Sequence, residues 1–179
     1  MIWKILKSSY SFICPWLRVR KDHVVLPSGF EMEDFYVLES NNWVNVIAIT
    51  EDGYFIVEKQ YRHGIGRVCF ELPAGNVSKG EAPLDAAKRE LLEETGYAGG
   101  DWKCFCTLAP NASGMNNLCY TFLATGVKRV ASPHLEKSED IRVFLMTLNE
   151  IENLLIEESI IEAVMQAPLW RYINVMKWA

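Results

Sequence analysis

From Pro83 to Thr95 the sequence reads as one amphipathic helix, and that helix is the strongest constraint on the whole chain. Pro83 suits a first helical position, and Gly96 suits the residue just past the end. At about 100° per residue, Leu84, Ala87 and Leu91 fall on one stripe, which predicts packing against a sheet. Beside that stripe Glu90, Glu93 and Glu94 fall together, related by i+3 and i+4 spacing. Three carboxylates on one helical face repel one another and weaken the helix unless a cation neutralises them. Hard oxygen ligands clustered this way suit Mg²⁺ or Mn²⁺ rather than zinc. Arg89, four after Asp85 and four before Glu93, is placed to hold one carboxylate in position. Taken alone, the pattern also describes a solvated acidic face laced with i,i+4 ion pairs, so its surroundings must decide.

Those surroundings are mostly strands. Leu17–Arg20, Val24–Leu26 and Phe35–Leu38 are short β-rich runs, with Pro27-Ser28-Gly29 as a turn between two of them. Val44–Thr50 is a longer apolar run, and Glu51-Asp52-Gly53 makes a hairpin turn into Tyr54–Glu58. Both arms are apolar at nearly every position, which predicts a strand pair buried on both faces. After the helix come strands at Lys103–Leu108, Leu118–Ala124 and Ile141–Thr147. The Ile/Leu/Glu pattern then predicts a helix over Leu148–Gln166, with Pro168 close behind. Strands, a central helix, strands and a final helix predict an α/β, mixed α+β, architecture. No repeat, low-complexity stretch or linker-like run divides the chain, and 179 residues suffice to bury a core without staples.

Half of the residues are hydrophobic and 12% are aromatic, which argues against disorder. Asp and Glu number 23 against 18 Lys and Arg, so there is no basic footprint for nucleic acid. Five cysteines is an odd number and no pair has C-x-x-C spacing. Cys104 and Cys106 are expected to share one strand face, but without a histidine pair they make no zinc site. All five read as reduced structural thiols, which fits a cytoplasmic protein. At the N-terminus, Lys4, Lys7 and the polar Ser8-Ser9-Tyr10-Ser11 interrupt the apolar residues, so the segment is expected to be a peripheral strand or partner contact and not a signal peptide. No run approaches the roughly 18 apolar residues a membrane span requires, and no membrane association is expected.

The context of the helix is Glu71-Leu72-Pro73-Ala74-Gly75, then Glu81, then Arg89-Glu90-Leu91-Leu92-Glu93-Glu94-Thr95-Gly96-Tyr97. This resembles the Nudix box, the loop–helix–loop motif of the Nudix hydrolases, with every fixed position filled; Tyr97 stands where the family usually has an aliphatic residue. Val57-Glu58-Lys59-Gln60-Tyr61-Arg62, the Glu71–Gly75 run and Glu139-Asp140-Ile141-Arg142-Val143 look like the ADP-ribose pyrophosphatase branch. Trp16-Leu17-Arg18-Val19-Arg20 and its neighbouring strands look like the extra sheet with which that branch dimerises.

The resemblance implies a mixed β-sheet sandwiched by helices over residues 43–179, preceded by an antiparallel dimerisation sheet over residues 1–42. It implies a divalent-metal-dependent enzyme that splits ADP-ribose, or a close nucleoside diphosphate sugar, into a nucleoside monophosphate and a sugar phosphate. Two or three Mg²⁺ (or Mn²⁺) ions would be held by Glu90 and Glu94, with Glu93 and the carbonyl of Ala74 completing the set. Arg62, with Arg67, Glu71 and Gly75, would serve the substrate, and Arg89 would support the catalytic set. The base for the attacking water would come from the loop Ser132–Asp140. There Lys137 occupies the position aligning with the usual base, and Glu139 and Glu136 are the candidates, with His134 a lesser one. Trp16, Tyr36 and Trp43 are candidate adenine stackers. Pro110, in Leu108–Gly114, resembles the proline that marks ADP-ribose specificity, at slightly short spacing and with Asn111, Asn116 and Asn117 differing from the commonest version. The other readings are a hydrolase of another nucleoside diphosphate hexose or dinucleotide, and a non-catalytic nucleotide-sugar module that regulates a partner.

Overall fold

A computed structural model describes residues 1–15 and 17–178, arranged as two compact units. The first comprises residues 1–41 with 109–118, and the second residues 42–108 and those from Cys119 onward. Trp16, in the segment expected to dimerise and among the candidate stackers, lies outside the described residues.

The first unit is an antiparallel sheet of β1 (Lys4–Ile13), β2 (Arg18–Val25) and β3 (Glu31–Glu39), in that order. The two β-rich runs read at 17–20 and 24–26 are therefore one strand. Asp22 is buried on β2, where it accepts hydrogen bonds from Ser8 Oγ and the Arg20 guanidinium. The loop carrying Pro110 is stitched to β3: the Leu38 N–H donates to the Gly114 carbonyl, and the Asn116 N–H to that of Leu38. Every residue of β1 is exposed, including Ile5, Leu6, Tyr10, Phe12 and Ile13.

The second unit is built on an eight-stranded mixed sheet. Its strands are β4 (Trp43–Thr50), β5 (Phe55–Arg62), β6 (Arg67–Glu71), β7 (Ala74–Asn76), β8 (Tyr97–Ala98), β9 (Asp101–Leu108), β10 (Cys119–Arg129) and β11 (Arg142–Met146). The main path runs β11-β5-β4-β10-β8, with β6 paired to β5, β7 to β4 and β9 to β10. The expected hairpin joins β4 to β5, yet their ladder holds only at Ile49↔Phe55. Past that rung β4 runs parallel to β10, and β5 pairs with β6 and β11.

Alternation along β4 explains why the sheet is covered on both faces. Val44, Val46 and Ala48 meet Ala86, Ala87 and Leu91 of α1 (Pro83–Thr95), with Ile56, Phe122 and Val127. Ile47 and Ile49 meet Ile151 and Leu155 of α2 (Leu148–Ile156) and Val164, Leu169 and Ile173 of α3 (Ala163–Trp178). The architecture is a mixed sheet sandwiched by helices, with an antiparallel N-terminal sheet in the other unit.

Two sequence expectations need correction. The helix expected over 148–166 is two helices, and Pro168 lies inside the second. Thr147 and Glu150 form a reciprocal capping box that starts α2. Glu158, in the left-handed region at φ 55°, ends it, and the Ser159 N–H turns back to the Leu154 carbonyl. Proline has no N–H for the carbonyl four residues earlier, which here is Val164. Asn45 Nδ2 on β4 supplies that missing donor at 2.8 Å. Secondly, Cys104 and Cys106 do not share a face. A bulge pairs Cys106 with Thr121 and Cys104 with the next residue, Phe122, so alternation breaks between them. All five cysteines are free thiols.

Candidate functional site

The site grows from the C-terminal half of α1 and the strands its glutamates face. Pro83 begins the helix with no side-chain cap, and Gly96 ends it at φ 77°. Gly96 is also required by space, since a Cβ there would stand 2.2 Å from the Ala131 carbonyl oxygen. From that close approach the Val130 and Ala131 N–H groups bond the Gly96 carbonyl, and the His134 N–H bonds the Glu93 carbonyl at 2.7 Å. These bonds fasten the 132–140 loop to the helix end and carry Glu139 to the site.

Glu94 is buried against the sheet, and its Oε2 accepts the Ala74 N–H at 2.9 Å. Glu90, mostly buried, reaches the adjoining residue, where a Cβ on Gly75 would lie 2.0 Å from its Oε1. Gly75 thus makes the room in which the Glu90 carboxylate sits. Arg89 organises the outer edge. Its guanidinium pairs with Glu81 and Glu90 at 2.9 and 2.8 Å, with Glu93 at 3.1 Å, and donates to the Asn76 carbonyl at 3.1 Å. Glu81 in turn accepts the Ser78 N–H. The hydrogen bond from Arg89, aided by that N–H, holds the Glu81 carboxyl down at about 2.

On the sheet, Arg62 clasps Glu71 with Nε and Nη2, and Gln60 Nε2 adds a bond at 3.3 Å. Glu71 is buried, so these two candidate substrate residues meet each other. Arg67 is exposed and directly opposite Arg62 in the β5–β6 ladder. Glu139 and Glu136 differ in placement. The Glu139 carboxylate accepts the Glu136 N–H and lies near enough for its charge to act on Glu58, Glu90 and Glu94. Glu136 is the exposed other end of that turn. Of the candidate stackers, Tyr36 is exposed, while Trp43 packs against the core beneath α2 and α3.

Sequence reasoning passed over Glu58. It reads as the polar end of an apolar strand, but its alternation with Ile56, which packs on α1, puts it on the helix side, opposite Glu71 in the ladder. It is fully buried and neither carboxylate oxygen has a hydrogen-bond partner. Burial first, then the charge of Glu71, pushes its carboxyl up to about 8. Burial and the Glu58 charge push Glu94 up to about 10, against the Ala74 N–H. Burial also raises Glu90, with Arg89 opposing.

These are the properties of a carboxylate cluster that a cation would stabilise. Among the described residues no group of three or more His, Cys, Asp or Glu side chains is arranged to hold a metal ion as it stands. Arg89 and the Ala74 N–H hold Glu90 and Glu94. The donor set nonetheless fits a hard divalent ion: all oxygen, several carboxylates, a nearby carbonyl, and buried oxygens with nothing else to bind.

The raised carboxyls set a pH dependence for the metal-free protein. Folded, Glu58 and Glu94 keep their protons above the ordinary value of 4.5, so between about pH 4.5 and 8 the native state binds more protons than the unfolded chain. Stability therefore falls as pH rises across that window. For a chain of this size, where about 1 kcal/mol moves Tm by 2–4 °C, a drop of at least about 5 °C from pH 5 to pH 8 is expected for EDTA-treated protein. A calorimetric Tm that stays flat or rises would contradict the buried cluster.

A family model for the NUDIX domain matches residues 41–166. A protein named methanol dehydrogenase activator, from Bacillus methanolicus, is 28% identical over 161 residues, covering 89% of this chain and 86% of its own. An ADP-ribose pyrophosphatase from Bacillus subtilis (strain 168) is 29% identical over 143 residues, 79% of this chain and 77% of its own. One from Mycobacterium tuberculosis is 33% identical over 122 residues, 68% of this chain and 58% of its own. In fold, the chain matches a crystal structure of an ADP compounds hydrolase with a TM-score of 0.84 at 19% identity, covering 99% of this chain and 95% of that one.

Proposed function

The chain belongs to the Nudix family, as a pyrophosphohydrolase, and from that premise we propose that it hydrolyses the diphosphate of ADP-ribose or a related nucleoside diphosphate sugar to AMP (or another monophosphate) and ribose 5-phosphate (or another sugar phosphate). The observation that carries the reading is the joint placement of Glu94 under the Ala74 N–H and Glu90 in the space left by Gly75. Glu90, Glu94, Glu93 and the Ala74 carbonyl would hold two or three Mg²⁺ (or Mn²⁺) ions. Bound there, such ions neutralise a diphosphate and lower the pKa of an attacking water.

The chain's own groups do the rest. Arg62 and Arg67, at one rung of β5 and β6, present planar donors to phosphate oxygens. Glu139, whose charge reaches Glu90 and Glu94, takes the proton of the attacking water as the oxygen–phosphorus bond forms in line with departure of the other phosphate. Arg89 keeps Glu90 and Glu93 in place from the side. The exposed apolar residues of β1 support a homodimer through the N-terminal strands, and five free thiols support a cytoplasmic setting. Among the described residues no helix is long and apolar enough to cross a membrane.

The test is phosphate release in a coupled phosphatase assay with Mg²⁺, over ADP-ribose, ADP-glucose, GDP-mannose, UDP-glucose, NADH, diadenosine polyphosphates and nucleoside triphosphates. Preference for ADP-ribose, lost with chelator, is the expected result. Preference for a hexose or dinucleotide would keep the glutamate centre and discard the reading of the Pro110 loop. The relative named as an activator favours a second reading, a module acting on a partner enzyme. Tight ADP-ribose binding with no turnover across the panel would favour it.

A further inference from the structure

We infer that Glu58 is a further ligand of the divalent-cation centre, seating an ion between its carboxylate and that of Glu94. The inference rests on the cation-dependent reading above. The side chain has no exposure to solvent, and no donor among the described residues reaches either oxygen. A carboxylate in that condition costs several kcal/mol unless something positive reaches it. Val143 on β11 and Glu71 on β6 flank it in the sheet, and neither supplies a donor. Arg62, the nearest guanidinium by its effect on Glu58, is engaged with Glu71 through both Nε and Nη2.

An apolar residue would be the ordinary choice here. The preceding residue on this face, Ile56, packs into the α1 core, and Val143 packs against the same cluster. A glutamate instead carries two unpaired oxygens to the face where Glu94 and Glu90 arrive from the helix. At Glu94 the charge of Glu58 acts more strongly than that of Glu90 or Glu139. Two buried carboxylates that repel are what a bridging divalent ion turns into a stabilising pair.

The test is binding of Mn²⁺ alone, followed by electron paramagnetic resonance and by thermal melts, in wild type, Glu58→Gln and Glu94→Gln. Glutamine keeps the shape and adds an N–H₂ that can donate to Glu71 or Glu94, so metal-free Glu58→Gln should melt no lower than wild type. Its apparent Kd for Mn²⁺ should rise about tenfold or more, and its Mn²⁺-induced gain in Tm should shrink. Titrations that superimpose on wild type would overturn the inference, as would a lower metal-free Tm with an unchanged Mn²⁺ gain. Glu94→Gln separates the two failures. If it loses Mn²⁺ while Glu58→Gln does not, only the Glu58 assignment falls; if neither loses it, the cation centre itself is wrong.

Discussion

Replacing Glu94 with glutamine is expected to abolish hydrolysis while leaving the protein folded and, without metal, at least as stable as before. The first part follows from position. Glu94 is the most deeply buried of the three helix glutamates, and the Ala74 N–H fixes its Oε2. On the proposed reading, losing its charge removes a cation anchor whose effect on the developing phosphoryl charge is several kcal/mol, which at 1.36 kcal/mol per tenfold is about a thousandfold in kcat or more. The second part follows from the raised proton affinity of this carboxyl. An amide cannot ionise, so the substitution removes the repulsion from Glu58 and Glu90 and keeps an oxygen for the Ala74 N–H. Steady-state kinetics with a parallel melt checks both. A variant turning over at near wild-type rates would remove Glu94 from the centre.

Arg89→Ala is expected to lower kcat/KM by about 10- to 100-fold, the range for residues that orient metal-binding groups. On the proposed reading Arg89 is a positioning residue, and its loss should raise the Mg²⁺ concentration needed for half-maximal rate as well as lower the maximum. One guanidinium serves Glu81, Glu90, Glu93 and the Asn76 carbonyl together. Lysine has one nitrogen where arginine has a planar fork, so Arg89→Lys should recover little. Stability should fall only modestly, because about a third of the side chain is exposed to screening water. If Mg²⁺ dependence stays unchanged while kcat falls, Arg89 does not act through the glutamates.

Local signals explain what the sequence disclosed. The limits of α1 at Pro83 and Thr95 match the expectation because proline and glycine mark them by their own geometry. The apolar runs at 44–50 and 54–58 became central strands because unbroken apolar character means burial on both faces. What stayed hidden depends on distant partners. Nothing beside Pro168 announces that a helix continues through it, since the compensating donor is Asn45, on β4. The left-handed residue just past α2 is Glu158, which carries no glycine signature. Glu58 sits in plain view, but the side it faces and the emptiness around its oxygens come from the packing of β5, β6 and α1. Glu139, the first candidate for the base, and Glu136 share one loop; their different exposure and the Glu136 N–H bonding the Glu139 carboxylate come only from how that loop folds.

The parallel ladder between β4 and β10 has a consequence for the order in which the chain acquires its shape. Asn45 and Cys119 meet across 74 positions, whereas β4 and β5 are joined by a tight turn. Local pairing is fast, while closure of long loops and parallel pairing are slow. During synthesis the chain therefore presents β4, buried along nearly its whole length in the finished protein, with one edge open until residues 119–129 emerge. An open apolar edge is a template for other strands. The interval in which this protein is most prone to aggregate is thus written into its strand order.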